Sequence, residues 1–261
     1  MRDSERYRCG PATSYKQTSF RKALGQCVGI SARVRRRGWL LDPFLYVDMN
    51  AGPGLCQAVG ACCYHAEDDR CADRHGSPLV ALRLLTKTEP DNYLALLFDA
   101  DDDTRASLAA AVQDYPPNRV SIGGESRFLA PVGCTSETRG LVYVDPSNAD
   151  LPVDTLAEYA ASFPKVDILI NLACASYKRG VAQDDYERLS DTLGRIGKPR
   201  WVVREPRGVH QWAMLYGSNW QPEHPPGKDW RYLDTDEGRQ WFERIIYTRA
   251  ELKNGGQGEL F

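Results

Sequence analysis

The chain has 261 residues, of which 42% are hydrophobic and 26% charged, and its net charge is −2. That composition is ordinary for a globular protein and allows a sizeable core, and no apolar run approaches the roughly 20 residues that span a bilayer. The opening MRDSERYRCG lacks the apolar centre of a secretory leader, so a soluble cytoplasmic protein is expected, and its eight cysteines are not expected to form a disulfide framework.

The near-neutral total hides an asymmetry. Residues 1–40 carry ten Lys or Arg and two acids, net +8, while the rest of the chain is net −10. SFRKALGQCVGISARVRRRGWLL reads as one helix, with Phe20, Leu24, Cys27, Val28 and Val34 at helical spacing and Gly38 ending it. Its ARVRRRG segment, 32–38, has two readings: a solvated face, or a contact to phosphates, since clustered arginine is the electrostatic footprint of nucleic-acid binding. Residues 1–40 are taken as a basic N-terminal helical segment.

PFLYVD, 43–48, is an apolar run of strand length that breaks into MNAGPG. Residues 53–76 are polar, Cys-rich and aperiodic, and read as a long loop. GSPLVALRLL opens a helix, with Ser77 as N-cap and Pro78 in the first turn. NYLALLFDADD is a second buried strand, and DDTRASLAAAVQDY a helix capped by Asp102 or Asp103. RVSIGG is a short third strand and RGLVYVDPS a fourth. DTLAEYAASF is amphipathic through Val153, Leu156, Ala160 and Phe163. KVDILINLA is a fifth strand, and Cys174 after it, like Cys27, reads as a buried apolar residue. DDYERLSDTLGRIG keeps Tyr186, Leu189, Leu193 and Ile196 on one face and stops at Gly197. PRWVVREPRGVHQWAMLYGS then breaks the alternation as two strands forming an antiparallel hairpin. From Trp220 the chain is rich in Trp, Pro and Tyr, and a last helical stretch precedes NGGQGELF.

Strands alternating with helices imply an α/β fold with a doubly wound, mostly parallel sheet, here with a terminal antiparallel hairpin. The element order is similar to that of class I methyltransferases. Residues 41–220 are taken as this Rossmann-like domain, with a Cys/His-rich insert at 55–76, and 221–261 as an aromatic C-terminal extension.

In an open parallel sheet ligands bind beyond the carboxyl ends of the strands. Those ends read VDMNAGPG, FDADD, GGESRF and VDPSN, each with an acid or polar cluster. Gly52 and Gly54 can take positive φ and let backbone approach a ligand. Asp99, with Asp101 second, is placed to accept ribose hydroxyls, and Glu125 an adenine amine. Asp48, Asn50, Ala51 and Ala100 complete the expected wall of the pocket. The loop is neither G-x-G-x-x-G nor a Walker motif, so S-adenosylmethionine is expected rather than a dinucleotide or nucleoside triphosphate.

YVDMNAGPG, GSPLVAL, LFDAD, VYVDPSN, DILINL and AMLYGSNW together resemble the three-Cys-motif partner family over residues 40 to 220. The resemblance implies a methyltransferase-like protein of bacterial and phage mobile elements, and leaves the reaction open. Base-amine methyltransferases carry [DNS]-P-P-[YFW] after strand four; here the residues are Asp145, Pro146, Ser147 and Asn148, without the second proline and the aromatic. Tyr177, Trp212, Trp220 and Trp230 are the alternative stacking residues. No Pro-Cys occurs, which excludes a cytosine-C5 enzyme.

Cys62, Cys63, Cys71 and His75 fall in one segment with Cys56 and His65. They read either as a structural zinc site or as a reduced loop, since thiolate and imidazole are zinc's ligands but no C-x-x-C knuckle is present. The terminal residues 257–261 match the Q-x-x-L-F pattern of bacterial sliding-clamp ligands through Gln257, Leu260 and Phe261, after a glycine tether. The expected activity is methyl transfer from S-adenosylmethionine to a nucleic-acid base, with DNA bound through the basic N-terminal helix. The alternatives are a noncatalytic DNA-associated partner of the same fold and a phage base-modification enzyme of another transfer type.

Overall fold

The computed structural model describes residues 11–39, 42–55, 76–146, 150–182, 186–206, 212–219 and 225–247. They form seven helices and eight strands. The fold class is the expected one: α/β and mostly parallel through the first five strands, closed by antiparallel strands at the end. The chain divides into two compact units, Met1–Ser126 and Arg127–Phe261.

The first unit begins with helix α1, Pro11–Arg36. Phe20, Ala23, Leu24, Cys27, Val28 and Ser31 make one buried stripe along it, and full burial of a Phe or Leu contributes about 1.5–3 kcal/mol each. The helix starts eight residues before the expected Ser19, because periodicity marks only the packed part. Strands β1 (Phe44–Asp48), β2 (Tyr93–Phe98) and β3 (Val120–Gly123) pair in parallel, in the order β3-β2-β1. Continuous apolar runs suit β1 and β2, because a parallel strand is covered on both faces. Phe98 fixes Gly123 opposite it: a Cβ there would lie 2.7 Å from the Phe98 ring.

Helix α2 spans Ser77–Thr88 and α3 spans Asp102–Val112. Both caps differ from expectation. Gly76, not Ser77, is the N-cap of α2, and Pro78 in the first turn makes an N–H cap partner less necessary. Asp101 caps α3, accepting a bond of 2.8 Å from the Thr104 amide. Asp102 and Asp103 lie in the first turn, where their charge favours the helix dipole.

The second unit contains β4 (Gly140–Val144), α4 (Val153–Ser162), β5 (Val166–Ala173), α5 (Cys174–Ala182), α6 (Leu189–Ile196), β6 (Arg200–Arg204), β7 (Trp212–Ser218), β8 (Trp230–Tyr232) and α7 (Asp236–Ile246). Its strand order is β4-β5-β7-β6-β8. Strand β7 therefore runs antiparallel between β5 and β6. The hairpin is thus inserted beside β5 by its second strand, so the carboxyl ends of β4, β5 and β6 share one edge with the start of β7. Helix α6 ends as expected at Gly197, at φ +78°. Helix α5 is an addition to the expected elements. It claims the residues directly after β5, and Tyr186 falls outside α6, stacked on Tyr177 with ring centroids 6.5 Å apart.

Candidate cofactor and acceptor sites

In the first unit, Asp48 ends β1 with no exposed surface. Its carboxylate accepts from the Tyr46 hydroxyl at 2.7 Å and from the Asn50 amide at 3.3 Å. Asp48 is therefore an internal brace that starts the turn, rather than a group presented to a ligand.

The turn is tied to the end of β2 by two further bonds. The Ala51 amide donates to the Phe98 carbonyl at 2.9 Å, and the Gly52 amide to Asp99 Oδ2 at 3.0 Å. Asp99 Oδ1 takes the Asp101 amide, also at 3.0 Å. Asp99 remains half-exposed, so it joins two backbone segments while keeping a face toward solvent. The second ribose candidate, Asp101, is committed to capping α3. Ala100 and Glu125 are exposed.

Gly52 and Gly54 both take positive φ, +63° and +75°, but for different reasons. A Cβ on Gly52 would meet nothing within 4 Å among the described residues, so they leave this backbone open to an incoming group. A Cβ on Gly54 would lie 3.1 Å from Ala111 Cβ and from Leu108 Cδ1, so this glycine lets the turn pack on α3. Arg105, which no sequence motif singles out, locks the same corner: its guanidinium donates to the Asp99 carbonyl at 2.8 Å and the Ala100 carbonyl at 2.9 Å. Its spacing from Asp102, with which it pairs, is the signal the sequence carries.

In the second unit, Asp145 follows β4 half-exposed, and Pro146 is buried. The Asp145 carboxylate accepts from Asn171 Nδ2 at 2.6 Å and from the Tyr143 hydroxyl at 3.2 Å. Asn171 is fully buried in β5, and its own Oδ1 has no hydrogen-bond partner among the described residues. A lone amide within the apolar run after Asp167 is a legible signal, since a buried polar residue is the informative exception. Ser147 lies outside the described residues.

Of the four stacking candidates for the acceptor, Trp230 and Tyr177 are buried. Burial against Tyr186 and a bond to the Glu187 carbonyl commit Tyr177 to packing, and desolvation pushes its hydroxyl up to about 12. Trp220 lies outside the described residues. Trp212 is half-exposed and pairs with Ala173, which puts it on the same sheet face as Asn171 two residues earlier. Cys27 and Cys174 are buried as expected, and desolvation pushes the Cys174 thiol up to about 12.

The expected zinc ligands Cys62, Cys63, Cys71 and His75 and the tail residues Gln257, Leu260 and Phe261 lie outside the described residues. Among the described residues no group of three or more His, Cys, Asp or Glu is placed to hold a metal. Among the described residues, too, no helix is long and apolar enough to cross a membrane.

At the end of the basic helix the arginines divide. Arg35 turns inward to Glu89 at 2.7 Å and to the Asp42 carbonyl at 2.8 Å. Arg33, Arg36 and Arg37 are exposed, and the Arg37 guanidinium lies 5.3 Å from the ring of Trp39, itself 69% exposed.

No family model matches the chain, and no curated protein does. Among solved structures it is similar to a probable spermidine synthase from Corynebacterium glutamicum, at 12% identity and TM-score 0.49, over 88% of this chain and 79% of that one. It is also similar to the DUF519 protein of Legionella pneumophila strain Philadelphia 1, at 12% identity and TM-score 0.48, over 82% of this chain and 95% of that one. A SAM-dependent methyltransferase from Aquifex aeolicus matches at 12% identity and TM-score 0.41, over 71% of this chain and 88% of that one.

Proposed function

We propose that the chain is an S-adenosylmethionine-dependent methyltransferase that modifies a nucleic-acid base, with DNA as the target. The observation that carries the cofactor is Gly52: a positive-φ residue with open space where a side chain would be, bonded to an acid that ends the next strand. These residues fit an adenosyl ligand. Gly52 admits close approach of backbone, and Asp99 offers an oriented carboxylate for hydroxyl donors. Asn50, Ala51, Ala100 and Glu125 line the same strand ends, while Asp48 supports the turn from beneath.

Bound S-adenosylmethionine supplies a methyl carbon attached to a positively charged sulfur. Asp145, held by Asn171 and Tyr143, accepts a hydrogen bond from the acceptor's N–H and so orients the nitrogen lone pair. An acceptor nitrogen held in this way would take the methyl group that the cofactor would supply, and Asp145 would receive the proton that the nitrogen gives up. Pro146 and Ser147 follow Asp145 in the sequence and complete the proposed acceptor motif. Trp212 is the residue best placed to supply the aromatic face missing from DPSN.

Arg33, Arg36 and Arg37, with Trp39, are proposed to contact the nucleic-acid backbone. The clamp-like tail through Gln257, Leu260 and Phe261 and the motif resemblance to the three-Cys-motif partner family fit a protein of mobile elements that works on replicating DNA. A second reading, a noncatalytic partner that binds cofactor without turnover, is favoured by the departure of Asp145–Asn148 from the base-amine motif. Calorimetry with S-adenosylmethionine, followed by mass spectrometry of nucleosides from DNA exposed to the protein, separates the two. Binding with a methylated nucleoside supports the enzyme, and binding without product supports the partner.

A further inference from the structure

Asn171 is a polar side chain with no exposed surface, flanked in β5 by the apolar Ile168, Leu169, Ile170, Leu172 and Ala173. Its amide nitrogen donates to Asp145 Oδ1 at 2.6 Å, yet its Oδ1 is buried and unpartnered among the described residues. A buried acceptor without a donor is costly, and natural proteins keep few of them. If Asn171 served stability alone, an apolar residue of the same shape would serve better, because Asp145 is half-exposed and water can replace the missing donor. The register explains what the amide gains instead. Val144 pairs with Ile170, so the next residues, Asp145 and Asn171, stand side by side at the carboxyl edge of the sheet. Tyr143 reaches the other carboxylate oxygen from the same strand, at 3.2 Å. With a donor on each of its oxygens, the carboxylate is fixed in both position and plane.

We propose that Asn171 is a positioning residue for methyl transfer, whose amide aims the Asp145 carboxylate at the N–H of the acceptor while its own carbonyl oxygen has no donor among the described residues. The inference rests on the methyltransferase reading above and names the acceptor chemistry of that site: a nitrogen that carries hydrogen, rather than a carbon. An unionised amide is suited to the task, because it donates to a carboxylate without adding charge to the edge where the acceptor enters. Trp212 lies on the same sheet face, opposite Ala173, so a planar acceptor that hydrogen-bonds to Asp145 has an aromatic neighbour within the same unit.

The test compares Asn171→Leu and Asn171→Ser with the wild type, using tritiated S-adenosylmethionine and unmethylated double- and single-stranded DNA, together with calorimetry for the cofactor and thermal unfolding. The expected result for Asn171→Leu is a fall in kcat of tenfold or more, an S-adenosylmethionine Kd within twofold of wild type, and an unchanged or raised Tm. Asn171→Ser, which keeps a shorter donor, recovers part of kcat. Wild-type kcat in Asn171→Leu, or a loss of kcat that follows a lowered Tm in both variants, overturns the positioning role and leaves the methyltransferase reading standing. A wild-type protein that binds S-adenosylmethionine but methylates neither DNA overturns the reading and this inference with it.

Discussion

Gly52 and Gly54 share a backbone conformation but not an environment, and alanine at each separates ligand approach from packing. At both positions an L-residue at positive φ costs on the order of 1 kcal/mol. At Gly52 nothing else is added, because the new methyl group meets no atom of the described residues within 4 Å. At Gly54 it meets Ala111 and Leu108 at 3.1 Å, and forced overpacking of this kind adds roughly 1–3 kcal/mol. Gly54→Ala is therefore expected to lose about 2–4 kcal/mol of stability and Gly52→Ala about 1 kcal/mol, each kcal/mol lowering Tm by roughly 2–4 °C for a chain of this size. Calorimetry with S-adenosylmethionine should give the reverse order, with Gly52→Ala weakening binding at least tenfold because its methyl group occupies the open face. Urea unfolding and calorimetry on both variants decide the matter. Equal stabilities for the two variants, or cofactor binding by Gly52→Ala as tight as wild type, refute the assignment of the open face to a ligand.

Three other perturbations have definite outcomes. Replacing Arg33, Arg36 and Arg37 with glutamine should weaken duplex DNA binding and flatten the dependence of log K on log salt by about 0.9 for each phosphate no longer neutralised, while Arg35→Gln should lower stability instead, since Arg35 pairs with buried Glu89. Lys198 is buried, donates to the Pro164 carbonyl at 3.1 Å, and is lowered to about 8 by desolvation. The folded state therefore binds fewer protons than the unfolded one between about pH 8 and 10.5, and stability relative to Lys198→Met should rise with pH through that window by up to about 1.4 kcal/mol per pH unit and level off on either side of it, as read by denaturant titrations at several pH values. Deleting residues 257–261 should abolish pull-down by a bacterial sliding clamp without changing cofactor binding; undiminished pull-down removes the tail from the interaction.

The fold is legible in the sequence because its signals are periodic and local. Apolar runs in FLYVD, YLALLF and GLVYV suit strands covered on both faces, and the helices between them declare their buried stripes. What the sequence conceals depends on geometry that no local pattern carries. Three consecutive aspartates, 101–103, all suit a helix start, and only the fold selects Asp101. Helix α5 begins straight from β5 and buries Cys174, Tyr177 and Gly180, too small and mixed a stripe to announce itself. The three-residue β8 exists only because β6 offers an edge to pair with. In the site, Asp99 and the glycines are legible as residues, but their tasks are not: Asp99 bonds to Gly52, 47 positions away in the chain. Asn171 acquires meaning only through the register that sets it beside Asp145.

The most direct measurement is calorimetric titration of the full chain with S-adenosylmethionine, repeated on Asp99→Ala. Asp99 joins the Gly52 turn to the start of α3, so its loss removes two backbone bonds at the cofactor edge. The expected result is saturable binding at one site per chain, weakened at least tenfold in the variant. No heat of binding with the wild type, or equal affinity in both proteins, contradicts a cofactor site at this turn.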